Sequence, residues 1–526
     1  MTLLPGLVAL GVILGTLVAA LAGIMLAAGP ERPDLPWAYI LSVVRFTLFQ
    51  ATLSTALSVA LGAALALALA RRARFSGRSM LIAALNLASV LPAIVAVFGI
   101  VAVLGRSGLL GQTARLFGMD PGNWLYGLPG ILVAHVFFNA PLAARVFLAS
   151  VAAVPGEQWR VASQLGMGPG ALFRFVDLPL LRREAPGSAA LIFLLCFTSF
   201  AVVLALGGGP RAATLEVAIY GAVRFDVDFA RAGALALLQV AICLLVVAPL
   251  LTLGHRRPGE SAGAGAAAER PDVGVAAIRY VDVAVLGLGA LLVLPPLTAV
   301  GISGVLALKS LLRADVAEAA VTSVAIAIPA AIFGVGLALG LAISARALRA
   351  AGKPRQAGGV TLPVGLILAV PPVAVSAGLF VVLRIIADPF ALAVPLIIWI
   401  NALMALPFAL RQVEPPLTLS AERYGMLAES LGVNGWRRMR IVDWPLLQRP
   451  LLAALAIATA LSLGDLGVAA FFGSGNILTL PLLLHQRLGS YRLHEAASVA
   501  FLLALLVLVL FVAAQKWSGE PIARSR

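Results

Sequence analysis

The chain has 526 residues, 61% of them hydrophobic and 12% charged, with a formal net charge of +15. Its apolar residues run in stretches of about 20, long enough to cross a bilayer as helices, which excludes an ordinary soluble domain. The basic excess clusters in alternate loops, a pattern that orients a membrane protein and argues against a nucleic-acid partner.

In chain order, the first half is predicted to hold six spans, at 7–28, 42–70, 81–104, 128–152, 187–206 and 232–253. The first has no basic stretch ahead of it and is expected to stay as an uncleaved helix. Arg71, Arg72, Arg74 and Arg78 follow span two, Arg160, Arg174, Arg182 and Arg183 follow span four, and Arg256, Arg257 and Arg270 follow span six. A Gly/Ala-rich stretch edged by charges, 255–278, then reads as a flexible linker. Six further spans are predicted at 279–302, 317–345, 361–387, 391–413, 451–472 and 496–515. Arg346, Arg349, Lys353 and Arg355 follow the eighth, Arg437, Arg438 and Arg440 the tenth, and Lys516, Arg524 and Arg526 close the chain. The positive-inside rule places both termini and these loops in the cytoplasm. The expected organisation is all-α: residues 1–254 as one six-span unit, 255–278 as a cytoplasmic linker and 279–526 as a second unit.

A polar loop occurs once in each half. The first copy, near 155–180, reads Pro155-Gly-Glu-Gln-Trp-Arg-Val-Ala-Ser-Gln-Leu-Gly166 and then Phe173-Arg-Phe-Val-Asp-Leu-Pro179. The second, near 420–446, reads Glu422-Arg-Tyr-Gly-Met-Leu-Ala-Glu-Ser-Leu-Gly432 and then Arg440-Ile-Val-Asp-Trp-Pro445. Pro141 and Pro407, Arg145 and Arg411, Ala162 and Ala428, Gly166 and Gly432, Asp177 and Asp443, and Pro179 and Pro445 all stand 266 positions apart. Six spans per half return the chain to the same side, so both loops share one face about a pseudo-twofold axis along the membrane normal. In each, a short helix is predicted to end at the glycine in a left-handed turn, with the proline opening the next membrane helix. A loop that merely joins two spans would account for one copy but not for two in register.

This loop resembles the Glu-Ala-Ala loop of ABC importer permeases, whose short helix docks on a cytosolic ATPase. The place of the family glutamate holds Arg160 in one half and Met426 in the other, while Ala162 and Ala428 keep the alanine. The resemblance implies that Glu157, Ala162, Leu165, Gly166 and Pro179, with Glu422, Ala428, Leu431, Gly432 and Pro445, form the coupling sites. Two further segments resemble the permeases of thiamine and thiamine-pyrophosphate importers. They are Cys196-Phe-Thr-Ser-Phe-Ala-Val-Val-Leu-Ala-Leu-Gly-Gly-Gly-Pro210 and Ser462-Leu-Gly-Asp-Leu-Gly-Val-Ala-Ala-Phe-Phe-Gly-Ser-Gly475.

The resemblance implies two type I importer transmembrane domains in a bacterial inner membrane, served by two copies of a cytosolic ABC ATPase and a periplasmic or extracellular thiamine-binding protein. Fused ferric-iron permeases share this layout, so architecture alone leaves the substrate open. A secondary transporter with parallel repeats would need coupling carboxylates in its spans, where acidic residues are scarce.

No Gly-x-x-x-x-Gly-Lys-Ser/Thr stretch occurs, so the chain is not expected to hydrolyse ATP itself, and no cofactor is implied. The glycines at 207–209 and 473–475 read as tight turns, Cys196 and Cys243 as small buried hydrophobes, and His135, His485 and His494 as isolated side chains without metal-ligand spacing. Asp465, predicted inside span eleven with Ser199 at the matching place in the first half, is a candidate for the translocation path. A structural, helix-terminal aspartate is the alternative.

Overall fold

A computed structural model describes the chain except residues 1–2, 29–35, 121, 208, 210–211, 253–269, 368–369, 434, 474–476 and 519–526. Most of the expected linker, the middle of both glycine clusters and the basic chain end lie outside the described residues. The first half comprises α1 (Leu4–Ala28), α2 (Trp37–Arg71), α3 (Arg78–Ala88), α4 (Ala93–Leu104), α5 (Leu109–Leu116), α6 (Leu128–Ala152), α7 (Gly156–Gln164), α8 (Pro169–Leu172), α9 (Leu178–Phe197), α10 (Ala201–Leu206), α11 (Leu215–Arg224) and α12 (Phe229–Thr252). The second comprises α13 (Ala276–Leu306), α14 (Ala314–Ala350), α15 (Pro354–Ile367), α16 (Pro372–Ile386), α17 (Ala393–Ser430), α18 (Gly435–Arg438), α19 (Trp444–Leu463), α20 (Gly467–Phe472), α21 (Leu480–Gly489) and α22 (Leu493–Ser518). No strand occurs among the described residues.

Ten helices among the described residues are long and apolar enough to cross a membrane, and eleven if the bent pair α15–α16 is one span. This is a multi-pass membrane protein. The twelve-span expectation exceeds that number at α9, where Arg182, Arg183 and Glu184 occupy the first two turns and leave a shorter apolar stretch. Four expected spans are broken. Pro92 opens a new helix, α4, after α3; α15 and α16 meet at 93° before Pro371 and Pro372; and the fifth and eleventh runs stop at Thr198–Phe200 and Gly464–Leu466 before resuming as α10 and α20. Proline supplies no N–H and disfavours helical backbone in the residue before it, which accounts for the first two breaks.

The two halves repeat one packing scheme. In the first, α2 lies against α6 and α9; in the second, α14 lies against α17 and α19. Small residues allow the close approach: a Cβ built at Gly62 would stand 2.4 Å from that of Ala143 and 2.8 Å from the Ala140 carbonyl oxygen. With 35, 37 and 38 residues, α2, α14 and α17 are more than 50 Å long at about 1.5 Å per residue, well beyond the roughly 30 Å hydrocarbon layer.

The first helix of each half crosses to the other. α1 packs on α14 and α16, with the Gly6 N–H donating to Ser344 Oγ at 3.0 Å and Trp399 Nε1 to Thr16 Oγ1 at 3.2 Å. α13 packs on α2 and α4. The halves are thereby interlocked rather than laid side by side.

At the end opposite the repeated loops the halves meet at an aromatic seam. Phe229 stacks on Phe380 with centroids 5.8 Å apart, and Phe380 also meets Phe390, Phe471 and Phe472. Arg224 bridges the seam, donating to the Gly473 carbonyl at 2.7 Å.

At the start of α14, Asp315 binds Arg487 at 2.5 Å and Arg313 at 3.4 Å. The pair is partly exposed, so Asp315→Asn should lower stability by no more than about 1 kcal/mol in thermal unfolding in detergent; a loss of several kcal/mol would show the pair to be shielded from solvent.

Candidate functional site

Each repeated loop is built by local sequence. In the first half Pro155 cannot donate to the helix before it, so α6 stops at Ala152 and α7 starts afresh at Gly156. The matching position in the second half is Ala421, and there α17 runs unbroken to Ser430. The expected separate short helix is thus present in the first half, whereas in the second the equivalent segment is the last turns of a 38-residue helix.

Both segments end alike. Gly166 and Gly432 take φ of +62° and +65°, a left-handed conformation that costs any L side chain energy. The Met167 N–H reaches back to the Ala162 carbonyl at 3.0 Å and the Gly166 N–H to that of Ser163 at 3.0 Å; Val433 and Gly432 do the same toward Ala428 and Glu429, at 2.8 and 3.1 Å. This is the Schellman arrangement, which satisfies carbonyls that a helix end leaves free.

Ala162 and Ala428 are buried at 3% and 4% exposure and form the inner face of each segment. In the first loop Trp159 and Leu172 join Ala162 in a small apolar cluster. The outer faces carry large apolar side chains in register: Val161 and Leu427, Leu165 (70% exposed) and Leu431 (68%), and Phe175 and Ile441 are all exposed. Arg160 and Met426, at the place of the family glutamate, are exposed too, as are Glu157 and Glu422.

Beyond each glycine the chain re-enters a helix through a π-helical turn, Phe173–Asp177 and Met439–Asp443, which leads directly into α9 and α19. Pro179 and Pro445 lie in the first turn of those helices, as the sequence predicts. Wide turns of this kind concentrate at functional places in helices. The sequence pattern gives no sign of them.

The π turns deliver two wholly buried aspartates, and each meets an arginine. Asp443 lies 2.6 Å from Arg346 and accepts from Ser420 Oγ at 2.6 Å. Asp177 accepts from Arg270 through both oxygens, at 3.0 and 2.8 Å. These pairs escape a sequence reading because the partners lie 93 or more positions away.

Asp465 stands at the break between α19 and α20, and its carboxylate accepts from the N–H groups of Gly467, Val468 and Ala469 at 3.1, 3.4 and 3.3 Å. Ser199 occupies the corresponding break between α9 and α10. The cavity beside Asp465, shared with Ser323, Asn401 and Ser462, holds only about 10 Å³, room for one water at most. A larger cavity of about 360 Å³ opens near the aromatic seam, bordered by Tyr39, Gly207, Tyr220, Phe225 and Asp226, with Arg231 paired to Asp226 at its rim. His135 is buried in the first half, with Nδ1 3.0 Å from Ser54 Oγ. Among the described residues no three His, Cys, Asp or Glu side chains gather to hold a metal.

Duplicated bundles, with paired loops presenting matched apolar faces at one end, define the membrane permease class of transport systems. The chain is 43% identical over 541 residues to the thiamine transport system permease protein ThiP of Escherichia coli strain K12, covering 99% of this chain and 98% of that protein. The ThiP proteins of Salmonella typhimurium (43%, 98% of this chain and 97% of its own) and Brucella abortus strain 2308 (42%, 91% and 88%) are similar. The molybdenum transport system permease protein ModB of Azotobacter vinelandii is 32% identical over 224 residues, which are 42% of this chain and 97% of ModB. No family model matches the chain. The chain belongs to the thiamine transport system permease family.

Proposed function

We propose that the chain is the membrane permease of an ATP-driven importer for thiamine and its phosphates, with ATP hydrolysed by separate cytosolic subunits. The observation that carries this reading is the pair of loops, 266 positions apart, that present the same exposed apolar positions from the same end of the bundle. Two equal faces suit a dimeric partner. The basic loops at that end make it the cytoplasmic side of a bacterial inner membrane, with both termini there. The 1–254 and 279–526 halves, each with the crossing first helix of the other, supply the two moving bodies.

The mechanism follows from rigid connections. α8, the π turn and α9 form one helical run from Pro169 to Phe197, and α18 to α19 repeats it from Gly435 to Leu463. In the second half the docking face is itself the end of α17 and moves with that membrane helix, whereas in the first half α7 reaches α9 through the Gly166 turn and the continuous run from Pro169. ATPases closing on each other would draw the loops together and rock the halves, opening the Phe229–Phe380 seam to substrate delivered by an external binding protein.

Uptake of labelled thiamine by a transport-deficient strain carrying permease, ATPase and binding protein tests the assignment. Thiamine accumulation dependent on all three supports it; iron accumulation in its place would overturn it.

Of the two readings of Asp465, helix termination accounts for both carboxylate oxygens. Asparagine keeps an oxygen for the cap while alanine keeps none, so Asp465→Asn should transport within about twofold of wild type and Asp465→Ala should lose about 1 kcal/mol of stability. Loss of uptake in Asp465→Asn with normal membrane insertion would restore the path role.

A further inference from the structure

The two buried loop aspartates are equivalent by sequence, yet their partners are not. Asp443 is held from within its own half by Arg346 of α14. The residue that matches Arg346 in the aligned stretch Thr47–Arg71 and Thr322–Arg346 is Arg71, and it does not reach Asp177. It turns instead to Asp282 of α13 at 2.9 Å and to Asp272 at 4.0 Å. Asp177 is taken over by Arg270, which lies at the far edge of the segment joining the halves.

Arg270 is 8% exposed and saturated with partners. Its guanidinium pairs with Asp177, donates to both oxygens of Asp272 at 3.1 Å, and lies 4.4 Å above the ring of Trp159 in α7. Arg72 ties in the following residues, binding Asp282 at 2.9 Å and the Val273 carbonyl at 2.8 Å. The cluster sets three arginines (71, 72, 270) against three aspartates (177, 272, 282), so it is neutral; Arg270 and the aspartates are buried, and Arg71 and Arg72 partly so. A planar guanidinium stacked on an aromatic face and shared between two carboxylates is a geometry lysine cannot reproduce. The second loop has no counterpart: Gly425 stands where Trp159 does, so no ring is present to stack on.

We infer that Arg270 is a positioning residue that fastens the first docking helix to the start of the second half, making the two ATPase-docking faces mechanically unequal. The first face is clamped by the joining segment; the second is braced only by its own half. This rests on the reading of the loops as ATPase-docking sites, and the test separates the two ideas.

A photo-crosslinking residue is placed at the exposed positions Ser163 or Glu429, which correspond 266 apart, in the full permease–ATPase complex in lipid nanodiscs. Both positions should crosslink the ATPase in the otherwise unaltered chain. Arg270→Ala should lower the yield from 163 by about fivefold or more while leaving that from 429 nearly unchanged, since a buried aspartate would be stranded beside the first helix only. Arg270→Lys, which keeps the charge and guards against failure to fold, should fall between. Equal yields at 163 with and without Arg270, or equal loss at both positions, would overturn the inference while leaving the docking reading intact. Crosslinking at neither position in the unaltered chain would sink both.

Discussion

Arg346→Ala is expected to lower stability by about 3–5 kcal/mol, because it leaves the Asp443 carboxylate buried with no cation beside it. Ser420 Oγ, 2.6 Å away, is the remaining donor at that carboxylate and cannot offset a full charge. Asp443 also ends the π turn that starts α19, so the damage falls where loop and membrane helix join. Removing both charges is a different matter. Arg346→Met combined with Asp443→Leu should recover much of the loss, since a buried ion pair replaced by apolar side chains of similar volume is often neutral. Thermal unfolding of the purified permease in detergent measures both effects. A loss below about 1 kcal/mol in Arg346→Ala, the range of exposed pairs, would show that water reaches the site and that the pair is not the brace described above.

The contrast between these aspartates and the rest of the loop shows where sequence is informative. The register of 266, the buried alanines, the left-handed glycines and the prolines at the helix starts all follow from short-range rules, and all are legible in the chain. So is the difference between Pro155 and Ala421, once its consequence for one helix is considered. Arg270 and Arg346 are visible only as members of basic clusters that orient the chain; their charges acquire carboxylate partners through tertiary packing across 93 and 97 positions. The same holds for the crossing of α1 and α13, because an all-round apolar helix shows no face that would name its neighbour. The breaks at Ser199 and Asp465 are hidden for a further reason. Hydropathy is continuous through both, and only the carboxylate capping α20 reveals that the helix restarts.

Exposed apolar side chains on the loops offer the most direct test of what they are for. Leu165 and Leu431 protrude at matched places beside the terminating glycines. Changing either to aspartate removes no buried contact, so folding should shift by less than about 0.5 kcal/mol. Docking is expected to respond differently. An apolar residue centred in an interface is worth about 2 kcal/mol or more when lost, and a charge in its place must also be desolvated. On the proposed docking of a dimeric ATPase to both loops, the single variants should retain partial transport through the intact face. In Leu165→Asp with Leu431→Asp the losses combine to about 4 kcal/mol or more, near a thousandfold in affinity, and uptake should fall to about 1% or less of wild type. Copurification of the ATPase with the tagged permease reads the same effect without transport. A double variant that still retains its ATPase and carries substrate would place the docking surface elsewhere, on the Arg437–Arg440 side of the loop or on the C-terminal end of α14.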